Sequence, residues 1–231
     1  MPVSQLSVIT WNIHGCRGGL GEIADELRTR NADVIFLQEA EVNPPGSTGV
    51  HQPRLIAQRL GMNCYSAGSP MEMGGEQHMA ILARPALRNT IELDAGTGRI
   101  YGVAAEIAAG KRTMHVVCVH LTSSYKVDLT FLLHTSANRT REVADLGRRV
   151  KQWGGDVIIS GDFNMPPGTS GFEPLAAVAS CRAAGLPTYP ASGPAIELDY
   201  FFSNLPPVGD VEVLQSTRSD HLPVKTMWKI D

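Results

Sequence analysis

The sequence predicts a mixed α/β (α+β) fold in which two packed β-sheets are covered by helices on their outer faces. Apolar runs of strand length recur from one end of the 231-residue chain to the other, and a few stretches with helical periodicity lie between them. Some strands are followed by a helix, whereas others follow one another as in hairpins. The sequence has neither a fixed-period repeat nor a long Ser- or Pro-rich linker, so we expect residues 1–231 to form one domain.

Nine segments have the apolar patterning of strands, with Gly, Pro and Asn near their ends. In chain order they are SVITWNI (7–13), DVIFLQ (33–38), HMAILA (78–83), IYGVAAEI (100–107), TMHVVCVHL (113–121), DVIIS (156–160), ELDYFFS (197–203), VEVLQ (211–215) and LPVKTMW (222–228).

Helical periodicity predicts helices over residues 20–30, 53–61 and 137–153, and a shorter helix near 171–179. The remaining stretches are predicted as surface loops, most of them because they are rich in Gly and Pro. These loops cover residues 43–49, 66–75, 122–130 and 185–194.

Composition narrows the classes of function. The net charge of −3 argues against the broad cationic surface of proteins that grip long nucleic acids, although it does not exclude a local basic patch. The four cysteines form no Cys-x-x-Cys pair, so neither a zinc knuckle nor a dense disulfide framework is indicated. The chain opens without a signal-peptide pattern and no apolar stretch reaches roughly 18 residues, so we expect a cytoplasmic protein with no membrane segment.

Polar residues recur where the predicted strands end or begin. They are Asn12, Glu39, His120, Asp162, Asn164, Asp199, Asp220 and His221. Strand ends in layered α/β folds are rigid and the loops beyond them are open to ligands, so we expect these side chains to share one cleft. Carboxylate and amide oxygens without thiolates suit Mg²⁺ or Mn²⁺, which fill their remaining positions with water and phosphate oxygens. The set predicts a site for a phosphate and a divalent metal.

Taken singly, several of these residues also fit an ordinary structural role. An Asp or Asn after a strand, such as Asp162, is often a turn residue or a helix cap. Asp199 is harder to explain in this way, because Leu198 and Tyr200 flank it and a buried carboxylate needs a cationic or imidazole partner. His221 is the candidate partner.

Seven motifs carry a resemblance to a known family. They are WNIHG, FLQEAE, HMAILAR, VHL, GDFN, ELDYFF and SDHLPV, in that order and over nearly the whole chain. The set resembles the endonuclease/exonuclease/phosphatase superfamily. The resemblance implies a deoxyribonuclease I-like fold, which is a four-layer sandwich of two packed mixed β-sheets with outer helices. It also implies a metal-dependent hydrolase that acts on phosphoric ester bonds.

The resemblance assigns metal and phosphate contacts to particular residues. It implies that Glu39 is the main metal ligand, with Asn12 and Asp220 beside it directly or through water. Asn12 and Asn164 can donate hydrogen bonds to phosphate oxygens whose charge grows in the transition state. His14, two residues after Asn12, is a further candidate for contact with the substrate.

Two residues compete for the role of general base. Asp162 and His221 can each take a proton from the attacking water, and Asp199 would hold His221 in one tautomer. The sequence does not choose between them. His120 is the candidate for protonating the leaving oxygen or binding the phosphate.

His120 also bears on the substrate. The apurinic-site endonuclease branch usually has a Tyr at this position, so the chain resembles the His-containing branch with deoxyribonucleases, sphingomyelinases and deadenylases. Together with the mildly acidic composition, this favours a phosphodiester in a small, lipid-type or nucleotide-type substrate. An endonuclease or exonuclease acting on DNA or RNA is the alternative. The oligomeric state is not predicted.

A second alternative comes from a glycine-rich motif. Gly19, Gly21 and Ala24 form G-x-G-x-x-A between a strand and a helix, and Glu39 follows Gly19 by about the 20 residues expected of a ribose-binding acid in an NAD-binding oxidoreductase. The dinucleotide fingerprint, however, needs its first Gly directly at the strand end, and other residues intervene here.

The helix predicted over residues 137–153 is rich in basic residues. Arg139, Arg148 and Arg149 share it with Glu142 and Asp145. Interleaved charges of this kind favour a solvated, salt-bridged face over a nucleic-acid patch.

Overall fold

The computed structural model describes residues 5–123 and 137–231. Over these residues the strands are β1 (Gln5–Asn12), β2 (Val34–Val42), β3 (Asn63–Pro70), β4 (Glu76–Ala83), β5 (Arg88–Asp94), β6 (Ile100–Ala109), β7 (Arg112–His120), β8 (Asp156–Asp162), β9 (Ser180–Arg182), β10 (Asp199–Ser203), β11 (Pro207–Val213) and β12 (Val224–Lys229). The helices are α1 (Leu20–Arg30), α2 (Gln52–Leu60), α3 (Ala137–Trp153) and α4 (Glu173–Ala176), and a short 3-10 helix covers His14–Cys16.

The strands form two six-stranded sheets. The first has the order β11-β12-β1-β2-β4-β3 and the second the order β5-β6-β7-β8-β10-β9. Each sheet contains one parallel pair, β1 with β2 and β7 with β8, and its other pairs are antiparallel. A parallel pair requires a crossover connection, and α1 and α3 follow β1 and β7 in the chain.

Three apolar clusters divide the fold into four layers. The central cluster lies between the sheets and contains Phe36, Val116 and Trp228. A second cluster joins the outer face of the first sheet to α1 and α2, with Trp11 fully buried. A third cluster joins the second sheet to α3 and α4, and Phe163 is among its members. This is the predicted helix-covered sandwich, because burying both faces of each sheet needs a layer on either side.

The topology brings several strand ends to one edge. β1 and β2 run in parallel, as do β7 and β8, so Asn12 and Asp162 stand at carboxyl ends. β10 runs antiparallel to β8 and begins with Asp199 directly opposite Asp162. β12 runs antiparallel to β1 and pairs Val224 with Thr10, so the chain arrives there just after residue 221.

The predicted fold class is confirmed, and each of the nine predicted strands has a counterpart. Three further strands, β3, β5 and β9, were not predicted. The loop predicted at 66–75 is wrong in its first half, because residues 66–70 belong to β3. From residue 124 on, the loop predicted at 122–130 lies outside the described residues. The single-domain prediction stays a prediction.

The predicted solvated face of α3 is also partly wrong. Arg139 and Glu142 are 1% and 0% exposed, whereas Arg148 is exposed and pairs with Asp145. Arg139 and Glu142 turn inward because backbone groups beyond β7 and β8 accept or donate hydrogen bonds there. No helix among the described residues is both long and apolar enough to cross a membrane.

Gly161 marks the closest approach between β7 and β8. Its φ of 152° is rarely adopted by L-residues, and a Cβ atom there would lie 1.9 Å from the Val119 carbonyl oxygen. We expect Gly161→Ala to lower the free energy of unfolding by about 2 kcal/mol, because the added methyl group would clash with backbone atoms that are not free to move away. Urea denaturation measures the change.

Gly193 provides the matched control. Its Cβ position meets no atom within 4 Å and its φ is outside the left-handed range. Gly193→Ala should therefore leave the free energy of unfolding nearly unchanged. Equal stability of the two variants would contradict the packing argument.

Candidate active site

The buried carboxylate of Asp162 lies at the centre of the converging strand ends. It is 2% exposed. Its Oδ2 atom accepts a hydrogen bond from Asn12 Nδ2 at 3.2 Å, and the Nε2 atoms of His120 and His221 lie 3.6 and 3.7 Å away. Its Oδ1 atom accepts from the Asn164 backbone N–H at 2.8 Å. Residues far apart in the sequence therefore meet at one carboxylate.

His221 is held by a second buried carboxylate. Its Nδ1 atom lies 2.8 Å from Asp199 Oδ2, and Asp199 is fully buried. Thr188 donates its hydroxyl hydrogen to the same oxygen at 2.7 Å, and the ring of Tyr189 packs against the imidazole. Trp11 donates to the His221 carbonyl at 2.9 Å. Because the Asp199 carboxylate binds Nδ1, the other ring nitrogen faces Asp162, at 3.7 Å from its Oδ2 atom.

A β-bulge turns Glu39 toward the same place. Between Leu37 and Ala40 the register of β2 shifts against β4, and Glu39 has a φ of 54°. A bulge re-aims a side chain in this way and is common beside active sites. Glu39 Oε1 accepts from Asn12 Nδ2 at 3.0 Å and lies 3.7 Å from His120 Nε2.

Asn12 joins the two carboxylates through its amide nitrogen. Nδ2 donates to both Glu39 and Asp162, and Oδ1 accepts from the His14 backbone N–H at 3.1 Å. This orientation follows from the hydrogen-bond network. The side chain thus positions Glu39 and Asp162, and its predicted contacts with metal and phosphate stay predictions.

Asn164 reaches the site through its backbone. Its N–H binds Asp162, and its side-chain Nδ2 donates to the Leu121 carbonyl at 2.9 Å. Its φ of 51° sets the sharp turn after β8. The amide has a second N–H, so the predicted phosphate contact needs no rearrangement of this bond.

His14 and Asp220 form a pair at the rim of the cluster. His14 Nδ1 lies 3.3 Å from Asp220 Oδ1, and the two side chains are 31% and 38% exposed. Ser219 ties this rim to the centre, because its hydroxyl donates to the Asn12 carbonyl at 2.6 Å and lies 3.3 Å from Asp220 Oδ1. The structure therefore brings all nine predicted residues to one region, with these two at its exposed side.

Burial and neighbouring charges shift the pKa values of the clustered residues in different directions. Burial raises the pKa of Asp162 to about 7, against the opposing charge of His221. Burial alone would lower the pKa of His221, but Asp199 and Asp162 raise it to about 10. Burial lowers the pKa of His120 to about 4, although Glu39 opposes this. Burial also acts to raise the pKa of Glu39, yet His120 and the Asn12 hydrogen bond hold it below its usual value.

The donor set fits a hard divalent cation. Among the described residues, Asp162, Asp199 and His221 each place a ligand atom within 4.8 Å of the others. His221, however, binds Asp199 through one nitrogen and carries a proton on the other at its raised pKa, so it is a poor ligand. Cys16 supplies no thiolate, since burial raises its pKa to about 12. Glu39, which keeps its charge, is the better carboxylate for a metal.

The sequence matches the family model described as Endonuclease/Exonuclease/phosphatase family over residues 9–221. The chain belongs to the endonuclease/exonuclease/phosphatase family. It is therefore a hydrolase of phosphoric ester bonds in a family of metal-dependent phosphoesterases and nucleases. The dinucleotide-binding alternative is not supported, because a 3-10 helix separates β1 from Gly19 and Glu39 lies in the cluster with Asn12. A search of curated proteins finds no match.

Solved structures share the fold of this family member over almost its whole length. One is an endonuclease/exonuclease/phosphatase family protein from Leptotrichia buccalis C-1013-b, with 14% identity and a TM-score of 0.75, covering 97% of this chain and 100% of that one. An AP endonuclease from Archaeoglobus fulgidus has 15% identity and a TM-score of 0.74, with coverage of 97% and 100%. A 3′ phosphatase from Neisseria, bound to a product DNA hairpin, has 16% identity and a TM-score of 0.73, with coverage of 97% and 100%. Identities this low establish the fold alone, so assignment to the His-containing branch stays a prediction.

Three residues of the site were not predicted. Thr188 and Tyr189 lie in a segment that was predicted as a Gly- and Pro-rich loop, and Ser219 opens the SDHLPV motif, of which only Asp220 and His221 were predicted as site residues. Their contacts depend on chain segments that only the fold brings together. A hydroxyl in a loop carries no local signal for such a role.

Asp199→Asn should lower the pKa of His221, because it removes the nearest negative charge while keeping the side-chain shape. The folded-state pKa of about 10 lies above the ordinary 6.5. Protonated His221 therefore stabilises the fold fully below pH 6.5, and this contribution is lost as the pH rises through 10. The stability lost in Asp199→Asn should be largest below pH 6.5 and shrink toward pH 10. NMR titration of the ring and urea denaturation, both with chelator present, measure these effects.

Thr188→Val separates charge from hydrogen bonding. It deletes the hydroxyl that donates to Asp199 and leaves the carboxylate in place. The pKa of His221 should stay well above 6.5 in this variant. An unchanged His221 titration in Asp199→Asn would contradict the role assigned to the carboxylate.

Proposed function

We propose that this chain is a phosphodiesterase, dependent on Mg²⁺ or Mn²⁺, that hydrolyses a small phosphodiester by attack of an activated water. The proposal rests chiefly on one observation, the buried carboxylate of Asp162 surrounded by Asn12, His120 and His221. Phosphodiester hydrolysis needs a base for water, donors for the phosphoryl oxygens and neutralisation of charge in the transition state. The cluster offers a residue for each task.

Asp162 is the general base in this proposal. A pKa near 7 leaves the carboxylate partly ionised at neutral pH and able to accept a proton, which is the range that general-base catalysis favours. His221 is protonated at the same pH because its pKa is about 10. It therefore acts as a cationic donor to the phosphoryl oxygen, with Asp199 fixing its direction.

The neutral donors complete the phosphate contacts. The pKa of His120 is about 4, so its imidazole is neutral at pH 7. Its first role is therefore to donate an N–H hydrogen bond to the phosphate, and it could protonate the leaving oxygen only after taking up a proton. The second amide N–H of Asn164 and the partly exposed imidazole of His14 are further donors, whereas Asn12 would have to release Glu39 or Asp162 to contact the phosphate. Glu39 is the main ligand for the metal, with Asp220 and Asn12 beside it. When bound, the metal would polarise the phosphoryl oxygen and lower the pKa of water.

A nuclease is the second candidate. The solved relatives that favour it are named as an AP endonuclease and as a 3′ phosphatase bound to DNA. Two observations oppose it. The chain has a net charge of −3, and on the basic helix α3 Arg148 and Arg149 both pair with Asp145. Phosphate-driven binding of nucleic acid needs cations that are free to displace counterions.

Asp162→Asn should reduce kcat for bis-(p-nitrophenyl) phosphate by about 10²- to 10⁴-fold, the usual contribution of a general base. The change keeps the side-chain shape, so circular dichroism should be unaltered. Release of p-nitrophenol with Mg²⁺ or Mn²⁺ measures the rate. Asp25→Asn is the control, because Asp25 pairs with Arg28 on the exposed face of α1. Retention of full activity in Asp162→Asn would rule out this base.

Glu39→Gln should raise the metal concentration needed for half-maximal activity by about 10-fold or more, because it removes the charged ligand. Excess metal should restore part of the rate, and a chelator should abolish activity of the wild type. Glu76→Gln is the matched control, because Glu76 also pairs with a histidine, at 2.6 Å from His78, but begins β4 opposite Val42 rather than opposite Glu39. Identical metal titrations for Glu39→Gln and wild type would contradict the ligand assignment.

A further inference from the structure

A groove of about 850 Å³ opens beside the active site. Its walls come from the segments after β2, between β3 and β4, and between β5 and β6. About half of the lining residues are apolar, among them Pro44, Pro45, Pro70, Met71, Met73 and Met79. Met79 is buried in the floor, whereas Met73 is 85% exposed at the rim. The groove thus has a fixed floor and a rim side chain that is free to fold over an occupant.

Two contacts connect the groove to the catalytic cluster. Glu41 lines the groove, and its carboxylate packs against Gly15 so closely that a Cβ atom there would lie 2.5 Å from Oε1. Gly15 belongs to the turn that carries His14. On the other side, Arg99 lines the groove and donates to Glu142 at 3.3 Å, and Glu142 accepts from the backbone N–H of Thr122, two residues after His120. The groove therefore adjoins the site along the side formed by Glu39 and His120.

The charges and rings of the groove disfavour a nucleic-acid strand. Arg17 and Arg99 face Glu41 and Glu72, so the lining has no net formal charge. Of the described residues that line it, none is aromatic. Single-stranded nucleic acids are held by cationic tracks and by stacking of bases on aromatic rings, and neither is present in this lining.

We propose that this groove binds an aliphatic ester group of the phosphodiester, so that the preferred substrate carries an alkyl or acyl chain next to the phosphate. The inference rests on the proposed function and adds the substrate class to it. Methionine suits this task because its flexible, polarisable side chain adapts to alkyl groups of different shapes. The three prolines add rigid apolar surface to the same lining.

Hydrolysis of methyl, butyl and octyl p-nitrophenyl phosphate tests the chain-length preference. Each fully buried methylene group favours binding by about fourfold, so kcat/KM for the octyl ester should exceed that for the methyl ester by at least about tenfold. In the double variant Met71→Ser with Met73→Ser, this ratio should fall toward one. Both side chains lie in the turn between β3 and β4 and outside the three cores, so the fold should survive. Leu55→Ser, an exposed apolar residue on α2, is the control and should keep the ratio.

A binding measurement separates this inference from the proposed function. Calorimetry with methyl octyl phosphate and dimethyl phosphate should show at least about tenfold tighter binding of the octyl ester, and the double variant should lose the difference. Tighter binding of the octyl ester without hydrolysis would overturn the proposed function and support the inference that the groove binds an alkyl chain. Hydrolysis without chain-length preference, or a trinucleotide that binds more tightly than the octyl ester, would overturn the inference that the groove binds an alkyl chain. Faster hydrolysis of a monomeric short-chain phosphatidylcholine than of a long-chain phosphatidylcholine in vesicles would support a soluble alkyl diester as the source.

Discussion

The buried carboxylate of Asp162 keeps its place only because polar groups from both sheets surround it. Asp162 ends β8 in the second sheet, whereas Asn12 ends β1 in the first sheet and His221 lies three residues before the start of β12. A buried carboxylate without such partners would strongly destabilise the fold. The contacts that hold the carboxylate are therefore also contacts between the sheets. The catalytic edge can form only when the sandwich has closed, which links the folding of the core to the assembly of the site.

The same burial separates the protonation states of neighbouring groups. Asp162 shares its environment with two imidazoles, yet one is driven toward the charged form and the other toward the neutral form. The difference arises because Asp199 bonds to His221 at 2.8 Å, while Nδ1 of His120 has no hydrogen-bond partner among the described residues. Pairs of titratable groups with separated pKa values mark distinct acid, base and binding roles. The buried carboxylate of Asp199 thus accounts for the difference in pKa between His221 and His120.

Strands with long apolar runs could be predicted from the sequence, because their burial between layers demands such runs. β3 could not, since its sequence NCYSAGSP resembles a loop. Gly68 is there for packing, because a Cβ atom would lie 1.9 Å from the Gln77 carbonyl oxygen on β4. The order of the polar motifs was enough to predict that nine side chains lie close together, and their roles stay predictions. The bulge that aims Glu39 and the hydroxyl of Thr188 could not be predicted, because both depend on pairing between distant segments.

Some charged residues of α3 were predicted to be solvated but instead support the catalytic edge. Interleaved Arg and Glu residues normally indicate a solvated face. Arg139 instead donates to the Asn164 carbonyl, and Glu142 accepts from both the backbone N–H and the hydroxyl of Thr122, two residues after His120. Arg99 adds a third charge by donating to Glu142. These charges hold the chain just beyond β7 and β8, next to His120 and Asn164. The outer helix therefore supports the catalytic edge as well as covering the sheet.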